Sequence, residues 1–364
     1  MSEDLFAGLM SGTSLDGIDA VLADFSTMPP KILAHAHHAF DPALRAELLA
    51  LNSPGADELD RGARCANALA HGYAAAVREV LSKAAVAPAA LRAVGCHGQT
   101  VRHRPDRGYT VQLGNGALLA ELCGARVMAD FRSRDIAAGG QGAPLAPAFH
   151  AAVLRSPREH RAVLNVGGIA NLTWLPTAGD VVGFDTGPGN CLMDLWSGIH
   201  LGQPMDANGA WAAGARVDTA LLDRLLAEPY FARRPPKSTG RDLFNESWLH
   251  ARLQVGTDAR VVQATLLELT ARSIATAVAR DCKGTQRVIV CGGGVHNRAL
   301  MARLGALLAP VPVESSAAHG IDPGLMEPLA FAWLARQALL GAPASLPAVT
   351  GARGARVLGA IYPP

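Results

Sequence analysis

The sequence predicts an α/β protein of two lobes, and three observations carry that prediction. The chain has 364 residues, more than one hydrophobic core usually organises, so two domains are expected. Short apolar runs alternate with longer helical stretches, an order typical of α/β architectures with a central sheet. Two glycine-containing hairpin patterns, beginning near residues 5 and 161, share one layout, which indicates an internal duplication and a cleft between two lobes.

Composition excludes several functional classes. With 49% hydrophobic and 18% charged residues, the chain can fill two cores, and intrinsic disorder is excluded. Lys and Arg total 33 against 31 for Asp and Glu, so no strong field draws the protein to nucleic acid or to an anionic membrane. We therefore expect a small-molecule substrate, and neither nucleic acid nor a membrane as partner.

Two further features favour a cytoplasmic location. The stretch "MSEDLFAGLM" carries acids where a secretory signal would carry bases, and no run of about 18 apolar residues occurs. The six cysteines form no C-x-x-C pair and lie in apolar or helical stretches. We expect them to be buried free thiols in a reducing compartment.

The first hairpin pattern is "GLMSGTSLDGIDAVLADF". Apolar runs predict strands over 5–10 and 18–25, and the loop over 11–17 is longer than a minimal turn requires. A helix is predicted over 57–83 and a strand over 91–96. The sequence "AHAHH" is interpreted as a strand that alternates its faces, because no cysteine or acid accompanies it at metal-ligand spacing.

The second hairpin pattern is "RAVLNVGGIANLTWL", with strands predicted over 162–166 and 169–175 and a third strand in "VVGFD". Apolar residues at helical spacing predict a long amphipathic helix over 261–281. The remaining predicted elements are a strand in "RVIVC", a helix after "GGG", a helix in "LMEPLAFAWLARQALL", a surface linker in "GAPASLPAVTGARG" and a last strand in "ARVLGAIYPP".

The loop "SGTSLDGID" has the residue types of a phosphate cradle. Small residues let a phosphate chain approach the backbone, hydroxyls donate to its oxygens, and Asp16 or Asp19 could hold Mg²⁺. The alternative is a solvated turn whose side chains bond their own backbone. The Walker A and Rossmann fingerprints are absent, so nucleotide binding would have to use hairpins such as this one, "NVGGIAN" and the weaker "CGGG".

Asp185 is the candidate general base. It ends the strand in "VVGFD" and precedes a Gly-rich turn and an apolar helix. A carboxylate at a strand terminus is well placed to accept a proton, and the helix N-terminus behind it could receive an anion. The alternative is that Asp185 caps that helix or buttresses the turn.

Three other polar clusters are candidate ligand-binding groups, and two of them also have a structural interpretation. In "DFRSRDIAAGGQGAP", Arg132 and Arg134 could clamp an anionic substrate or form a salt-bridge network at a domain boundary with the neighbouring aspartates. In "CHGQT", His97, Gln99 and Thr100 could bond hydroxyls or an amide. In "KSTGRDLFN", the polar side chains could contact a phosphate or could simply mark the start of a helix. They are Lys237, Ser238, Thr239 and Arg241.

Taken together, these motifs resemble the anhydro-N-acetylmuramic acid kinase family, in order and over essentially the whole chain. They are "GLMSGTSLDGIDAVL", "HGQT", "DFRSRDIAAGGQGAP", "LNVGGIANLT", "GFDTGPGN", "GAWA", "KSTGR", "CGGGVHN" and "LMEPLAFAW". The resemblance implies a two-lobed actin-like (ribonuclease H-like) ATPase fold with duplicated mixed-sheet domains around a nucleotide cleft, in the superfamily of actin, hexokinase and heat-shock ATPases. ATP and Mg²⁺ are the implied cofactors, and a homodimer is favoured.

The resemblance also assigns roles to residues. Asp185 becomes the catalytic base, and Asp16 and Asp19 the candidate metal ligands. The implied nucleotide contacts are Gly12, Thr13, Ser14, Leu15, Asp16, Gly17, Ile18, Asp19, Asn165, Gly167, Gly168, Gly292, Gly293, Gly294 and Asn297. The implied sugar contacts are His97, Gln99, Thr100, Arg132, Gly187 and Glu327.

Lobe boundaries and one departure from the family pattern complete this prediction. We expect residues 1–136, joined by 350–364, to form the N-terminal lobe and residues 137–349 the C-terminal lobe. The sequence has Asp206, Ala207, Asn208 and Gly209 where D-x-D-G is expected, so a second carboxylate is missing there.

The implied reaction is the ATP-dependent opening of 1,6-anhydro-N-acetylmuramic acid with phosphorylation of its O6. It yields N-acetylmuramic acid 6-phosphate and ADP, and serves peptidoglycan (cell-wall) recycling and amino-sugar catabolism. One alternative is another sugar or acetate kinase of the same superfamily, in which Asp185 would deprotonate a substrate hydroxyl. The other is a nucleotide-switched binding protein.

Overall fold

A computed structural model describes residues 4–12 and 14–364, so Thr13, one of the implied nucleotide contacts, lies outside the described residues. Within these ranges the strands are β1 (Leu5–Met10), β2 (Gly17–Asp24), β3 (Lys31–Ala39), β4 (Ala93–Cys96), β5 (Gln99–Arg104), β6 (Tyr109–Leu113), β7 (Val127–Ala129), β8 (Arg161–Val166), β9 (Ile169–Leu175), β10 (Val182–Pro188), β11 (Arg287–Cys291), β12 (Val313–Ser315) and β13 (Ala360–Tyr362).

The described residues also form α-helices, which lie between groups of these strands in the sequence. They are α1 (Pro42–Ala50), α2 (Glu58–Lys83), α3 (Gly116–Cys123), α4 (Ser133–Ala137), α5 (Ala146–Leu154), α6 (Cys191–Leu201), α7 (Ala210–Ala213), α8 (Thr219–Leu226), α9 (Pro229–Ala232), α10 (Glu246–His250), α11 (Ala259–Asp281), α12 (Arg298–Leu308), α13 (Met326–Leu339) and α14 (Pro347–Thr350). No helix in this part of the chain is long and apolar enough to cross a bilayer.

The two hairpin patterns found in the sequence begin two sheets of the same topology. One sheet has the order β13-β7-β4-β1-β2-β3 and the other β10-β9-β8-β11-β12. In each, an antiparallel three-stranded meander is followed by two strands that run parallel to its first strand. The predicted α/β class and duplication are thus confirmed, and the repeated order fits the duplicated mixed-sheet domains that the family resemblance implies.

The chain divides into two compact units. Unit 1 comprises Met1–Val153 and Leu325–Pro364, and unit 2 comprises Leu154–Gly324. The boundaries between the units, at 153/154 and 324/325, differ from the expected boundaries at 136/137 and 349/350. The reason on the C-terminal side is α13, which packs directly on β1 and β4 and therefore belongs with the first sheet.

Two glycines allow α13 to approach that sheet closely. A Cβ added at Gly8 would overlap the carbonyl oxygen of Pro328, and one added at Gly95 would overlap that of Phe331. The helix backbone therefore lies against the strands with no side chain between them. Since α13 also carries Glu327, this close approach determines where that carboxylate lies.

Gly8→Ala is expected to lower the free energy of unfolding by about 2–3 kcal/mol, because the added methyl group meets main-chain atoms that cannot move aside. Urea unfolding followed by circular dichroism measures the change. Gly305→Ala is the matched control: it lies inside α12 with nothing within 4 Å of an added Cβ, and should stabilise by about 0.5–1 kcal/mol. A Gly8→Ala protein as stable as the wild type would contradict the packing described.

The predicted amphipathic character of the long helix is wrong. Helix α11 is buried on nearly all sides, because α6, α7, α8, α12 and β10 surround it. Its Glu268 is accommodated inside unit 2 by two arginines: Arg303 donates at 2.6 and 2.7 Å and Arg272 at 2.6 Å. A buried carboxylate paired in this way does not mark a solvent face.

The predicted surface linker in "GAPASLPAVTGARG" is also wrong. It contains α14, and its Thr350 is 1% exposed. The Thr350 hydroxyl donates to Asp135 at 2.8 Å, and Asp135 also accepts the N–H of Gly142 at 2.8 Å. The Pro and Gly content predicts an exposed linker, whereas Thr350 of this segment belongs to a buried hydrogen-bond network. The six cysteines are buried, as expected, and within the described residues none of them forms a disulfide.

Candidate active site

Asp185 is held by three contacts within unit 2. Its N–H donates to the carbonyl of Lys237 at 3.2 Å, and its carbonyl accepts the Tyr230 hydroxyl at 2.8 Å. One carboxylate oxygen, Oδ2, accepts the N–H of Thr239 at 3.0 Å. Helix α6 has Asn190 as its N-cap residue, so the alternative interpretation of Asp185 as that helix's cap is wrong.

The surroundings of Asp185 tune its acidity. Partial burial raises the pKa of Asp185 to about 6, against the lowering effects of the Thr239 N–H and the Lys237 ammonium. Burial lowers the pKa of Lys237 to about 8, and Arg280 acts in the same direction. The Lys237 ammonium lies 4.6 Å from the centre of the Tyr230 ring. A carboxylate that titrates near neutral pH is suited to taking a proton from water.

The first N–H groups at the α6 N-terminus are bonded within the protein. The N–H groups of Gly189 and Cys191 donate to the carbonyl of Gly168 at 2.9 and 3.1 Å, and that of Asn190 donates to the carbonyl of Gly167 at 2.8 Å. These three donors are therefore used by the β8–β9 turn, and the anion predicted at this helix N-terminus cannot be bound by them.

Two glycine-rich segments of unit 2 lie beside each other. Gly292 has a φ of +80°, and an added Cβ would overlap Asn165 Oδ1. An added Cβ at Gly294 would overlap Val166, whereas one at Gly293 would meet nothing within 4 Å. The predicted second phosphate turn and the predicted adenosine-side turn are thus adjacent, with an open backbone position between them.

Other predicted residues of unit 2 have structural partners. Asn297 caps α12, where its Oδ1 accepts the N–H of Leu300 at 3.0 Å. Gly187 has a φ of +151°, and the ring of Phe231 fills the space that a side chain would need. Asp206, in the departing "DANG" stretch, accepts the N–H groups of Trp211 and Ala212 at 2.8 and 2.9 Å, so this aspartate positions α7.

The first predicted phosphate loop, between β1 and β2, is tied down from several sides. The Ser11 hydroxyl is 2.7 Å from the Tyr73 hydroxyl and donates to the Gly98 carbonyl at 3.1 Å. Leu15 has a φ of +57°, and Arg45 donates to its carbonyl at 3.0 Å. A non-glycine residue in this region is strained and needs such support.

Side chains of this loop divide into buried and exposed groups. Leu15 and Ile18 are 3% and 2% exposed, so only their main chain is available to a ligand. Ser14 and Asp16 are exposed, and Asp19 accepts a hydrogen bond from His37 Nδ1 at 2.7 Å. Among the described residues, no group of three or more His, Cys, Asp or Glu could enclose a metal.

The predicted sugar contacts of unit 1 form a connected cluster. Arg132 lies 2.9 Å from His97 Nε2 through Nη2 and donates to the carbonyl of Gly142 at 2.8 Å. His97 Nδ1 is 3.3 Å from the carbonyl of Ser11. Gln99 donates to the Gly12 carbonyl at 3.2 Å, and its buried Oε1 has no partner among the residues that the structure describes. Thr100 accepts a hydrogen bond from Gln112 at 3.1 Å.

The cluster combines a neutral imidazole with a cationic guanidinium. Burial, with a further effect of Arg132, lowers the pKa of His97 to about 3. The imidazole is therefore neutral, with Nε2 free to accept from the guanidinium. Burial lowers the pKa of Arg132 to about 10 while Glu327 opposes the shift, so Arg132 stays cationic at neutral pH. It bonds neither Asp130 nor Asp135, and the salt-bridge alternative is wrong.

Sequence reasoning missed two groups that build these sites. Tyr230 holds the main chain of Asp185 from 45 residues away, and Tyr73 holds Ser11 from 62 residues away. Both tyrosines lie within helices, and in the sequence pattern they look like ordinary core residues. Only the hydroxyl partner in the folded chain reveals them.

In a comparison with known protein families, one family model matches nearly the whole chain. The family model described as "Anhydro-N-acetylmuramic acid kinase" matches residues 4–364. The chain belongs to the anhydro-N-acetylmuramic acid kinase family. A relative with that name from Thiobacillus denitrificans is 56% identical, over 98% of this chain and 97% of its own length. Another from Albidiferax ferrireducens is 54% identical over 99% of both chains.

Solved structures with distant similarity were also found. Component A of the (R)-2-hydroxyglutaryl-CoA dehydratase of Acidaminococcus fermentans is 15% identical, with a TM-score of 0.49 over 90% of this chain and 96% of that chain. A ROK hexokinase from Thermus thermophilus is 16% identical, with a TM-score of 0.38 over 91% of this chain and 99% of that chain.

Proposed function

We propose that this chain is an ATP-dependent kinase that opens 1,6-anhydro-N-acetylmuramic acid with water and phosphorylates its O6. The products are N-acetylmuramic acid 6-phosphate and ADP, and the role is peptidoglycan recycling and amino-sugar catabolism in the cytoplasm. Relatives with this enzyme name at 54–56% identity support the activity. The observation that carries the mechanism is Asp185, fixed through Oδ2 by Thr239, with a pKa raised to about 6.

The substrate's chemistry determines what the base must do. A 1,6-anhydro sugar has no free hydroxyl at C6, so the base acts on water instead. Asp185 takes a proton as the water oxygen bonds to C1, and the electron pair of the C1–O6 bond passes to O6. O6 then bonds to the γ-phosphorus of ATP as the bond to ADP breaks. The phosphoryl group takes the place of the acid that glycosidases use to protonate the leaving oxygen.

Orientation of the Asp185 carboxylate supports this role. The Thr239 N–H occupies Oδ2 at 3.0 Å, which leaves Oδ1 as the oxygen that accepts the proton. The hydrogen bond also keeps the carboxylate anionic at neutral pH, because it opposes the effect of burial on its pKa. We assign the positioning of the water to Oδ1.

The cluster of His97, Gln99, Thr100, Arg132 and Glu327 is assigned to the sugar. Arg132 remains cationic and uses three of its N–H groups on His97 and Gly142, which leaves others for the carboxylate of the substrate. Gln99 Oε1, which has no protein partner within the described part of the chain, would accept a hydrogen bond from a sugar hydroxyl or amide. Glu327 would accept a hydroxyl.

Asp16 and Asp19 have the donor set that Mg²⁺ uses. Mg²⁺ binds one or two protein carboxylates together with waters and substrate phosphates, so the lack of a three-residue cage among the described residues fits it. Asp16 is exposed, and Asp19 has one oxygen bonded to His37. When bound, Mg²⁺ would neutralise charge on the phosphates.

The reaction should have an acid limit set by Asp185. Only its deprotonated form accepts a proton, and its pKa of about 6 lies within the assay range. Below pH 6, kcat/KM should fall about tenfold per pH unit. Rates measured at constant ionic strength from pH 4.5 to 8 would test this. A profile that stays flat down to pH 5 would contradict the assignment.

An acceptor comparison tests the activity itself. The purified chain, ATP and Mg²⁺ are incubated separately with 1,6-anhydro-N-acetylmuramic acid, glucose and acetate, and ADP and the sugar phosphate are quantified. We expect a phosphorylated product only from the anhydro sugar. Phosphorylation of glucose or acetate instead would favour the other kinases of the superfamily, and ATP hydrolysis without a product would favour a nucleotide switch.

The oligomeric state is a separate proposal. The family resemblance favours a homodimer, as is common among soluble oligomers. Sedimentation velocity at micromolar concentration should give a particle of twice the chain mass of 37.8 kDa. A single species at the chain mass would contradict it.

A further inference from the structure

Arg241 lies against the predicted second phosphate turn. Its Nη2 and Nε are 3.4 and 3.6 Å from the position that a Cβ on Gly168 would occupy. The residue is exposed, and its charge acts on the thiol of Cys191 at the start of α6. Among the described residues, the Arg241 guanidinium has no hydrogen-bond or ion-pair partner, and the proposed mechanism above gives it no role.

We propose that Arg241 is a further catalytic residue, which bonds the oxygens of the phosphoryl group as it passes from ATP to O6 at the Gly167–Gly168 turn. This inference rests on the proposed function. Arg241 exchanges no proton in this step: it donates N–H bonds while the O6–phosphorus bond forms, the bond to ADP breaks, and Asp185 keeps the proton from water.

A cation is favoured at this turn because three backbone donors beside it are already in use. The N–H groups of Gly189, Asn190 and Cys191, at the start of α6, already donate to the carbonyls of Gly167 and Gly168. The chain also lacks the Walker A motif and its phosphate-binding lysine. An anion at this turn would therefore meet carbonyl oxygens on one side unless a cation from elsewhere in unit 2 balanced them.

Several other cations of unit 2 have partners that occupy them. Arg252 pairs with Glu228 at 2.9 Å, Arg280 with Asp281 at 2.7 Å, and Arg303 with Glu268 at 2.6 Å. Lys237 lies over the Tyr230 ring and donates to the Tyr230 carbonyl at 3.5 Å. Arg241 is both unpaired and next to the glycine turn. Its planar fork matches two phosphoryl oxygens at once.

One short segment links Arg241 to the proposed base. Lys237 accepts the N–H of Asp185 through its carbonyl, and the N–H of Thr239 donates to Asp185 Oδ2. Arg241 follows two residues later. The segment 237–241 therefore fixes the carboxylate that takes the proton and carries the cation that would bind the phosphoryl group. Both halves of the coupled reaction depend on the same piece of backbone.

Transition-state binding tests this proposal directly. The affinity for ADP alone and for ADP with aluminium fluoride, which mimics the transferred phosphoryl group, is measured by calorimetry with Mg²⁺. We compare wild type, Arg241→Gln, Arg241→Lys and the control Arg216→Gln, another exposed arginine of unit 2. Arg241→Gln should bind ADP within about threefold of wild type yet lose about 100-fold or more of the added affinity for the fluoride complex. Arg241→Lys should be intermediate and Arg216→Gln unchanged.

The turnover rate kcat is the second measurement that tests the proposal. Arg241→Gln should lower kcat about a thousandfold, the scale of an arginine that stabilises phosphoryl transfer, with KM for ATP changed little. Free guanidinium should restore part of the kcat of Arg241→Ala, which a merely structural role would not allow. The proposal is overturned if Arg241→Gln keeps wild-type affinity for the fluoride complex, or if its kcat stays within threefold. Absence of any sugar phosphate from the wild type would instead reject the proposed function, and the fluoride comparison would still test Arg241.

Discussion

Asp185→Asn is expected to lower kcat by about a thousandfold or more while ATP binding stays within about twofold of wild type. Asparagine has nearly the same shape and can still accept the Thr239 N–H, which now bonds Oδ2 at 3.0 Å. What it loses is the ability to take a proton from water as C1 is attacked. Quenched-flow measurement of sugar phosphate, with nucleotide affinity from calorimetry, separates the two effects.

A matched control shows that the loss is specific to this carboxylate. Asp223→Asn removes an exposed carboxylate on α8 of the same unit and should leave kcat unchanged. Turnover of Asp185→Asn within tenfold of wild type would remove the base from the mechanism. A parallel loss of ATP affinity would show instead that the substitution had disturbed the nucleotide site.

The same substitution should stabilise the fold. Asp185 has a pKa of about 6 in the folded chain against an ordinary value of 3.8, so its charged form is disfavoured by folding and stability is lost as pH rises through this window. Asparagine carries no charge. We expect Asp185→Asn to raise the free energy of unfolding by about 1–2 kcal/mol at pH 7.5 and by nothing measurable at pH 4. Urea unfolding at both pH values tests this, and an equal change at both would exclude the charge as its cause.

Arg132→Gln is expected to raise KM for the anhydro sugar about 100-fold, with KM for ATP nearly unchanged. Arg132 is held by His97 and Gly142 and stays cationic with a pKa of about 10. Loss of charge-assisted hydrogen bonds to the substrate carboxylate costs about 1.5–3 kcal/mol, and each 1.4 kcal/mol is tenfold in affinity. Steady-state kinetics with each substrate varied in turn measures the difference.

Arg107→Gln is the control for this prediction. Arg107 is an exposed arginine of the same unit with no assigned role, so it tests for a general effect of lost charge and should leave both KM values unchanged. An Arg132→Gln enzyme with a normal KM for the sugar would show that Arg132 supports the fold of unit 1 and does not contact the substrate.

Much of the fold could be predicted because its signals are local. The strands around Gly167 and the loop before β2 follow from apolar runs separated by small residues, and the repeat of that pattern predicted the duplicated sheets. Asp185 was found because it ends such a run. Its contacts with Tyr230 and the Thr239 N–H join residues 45 and 54 positions apart, and no local spacing encodes them.

The wrong predictions share a physical cause. Apolar residues at helical spacing predict that α11 is amphipathic with Glu268 turned away from the core, yet Arg303 from α12 supplies the charge that lets Glu268 be buried. The α6 N-terminus was expected to receive an anion, yet the carbonyls of the β8–β9 turn occupy its first N–H groups. In both cases a partner distant in sequence satisfies a polar group that local reasoning leaves open.

Incorporation of oxygen-18 from labelled water tests the central claim that Asp185 directs water to C1 while O6 captures the phosphoryl group. The wild-type reaction with the anhydro sugar and ATP is quenched within seconds, before the free anomeric hydroxyl exchanges with solvent, and the product is examined by carbon-13 NMR and mass spectrometry. We predict one labelled oxygen on C1 of N-acetylmuramic acid 6-phosphate and an unlabelled phosphate on O6. Label in the phosphate, or a phosphorylated product with no label at C1, would contradict the mechanism.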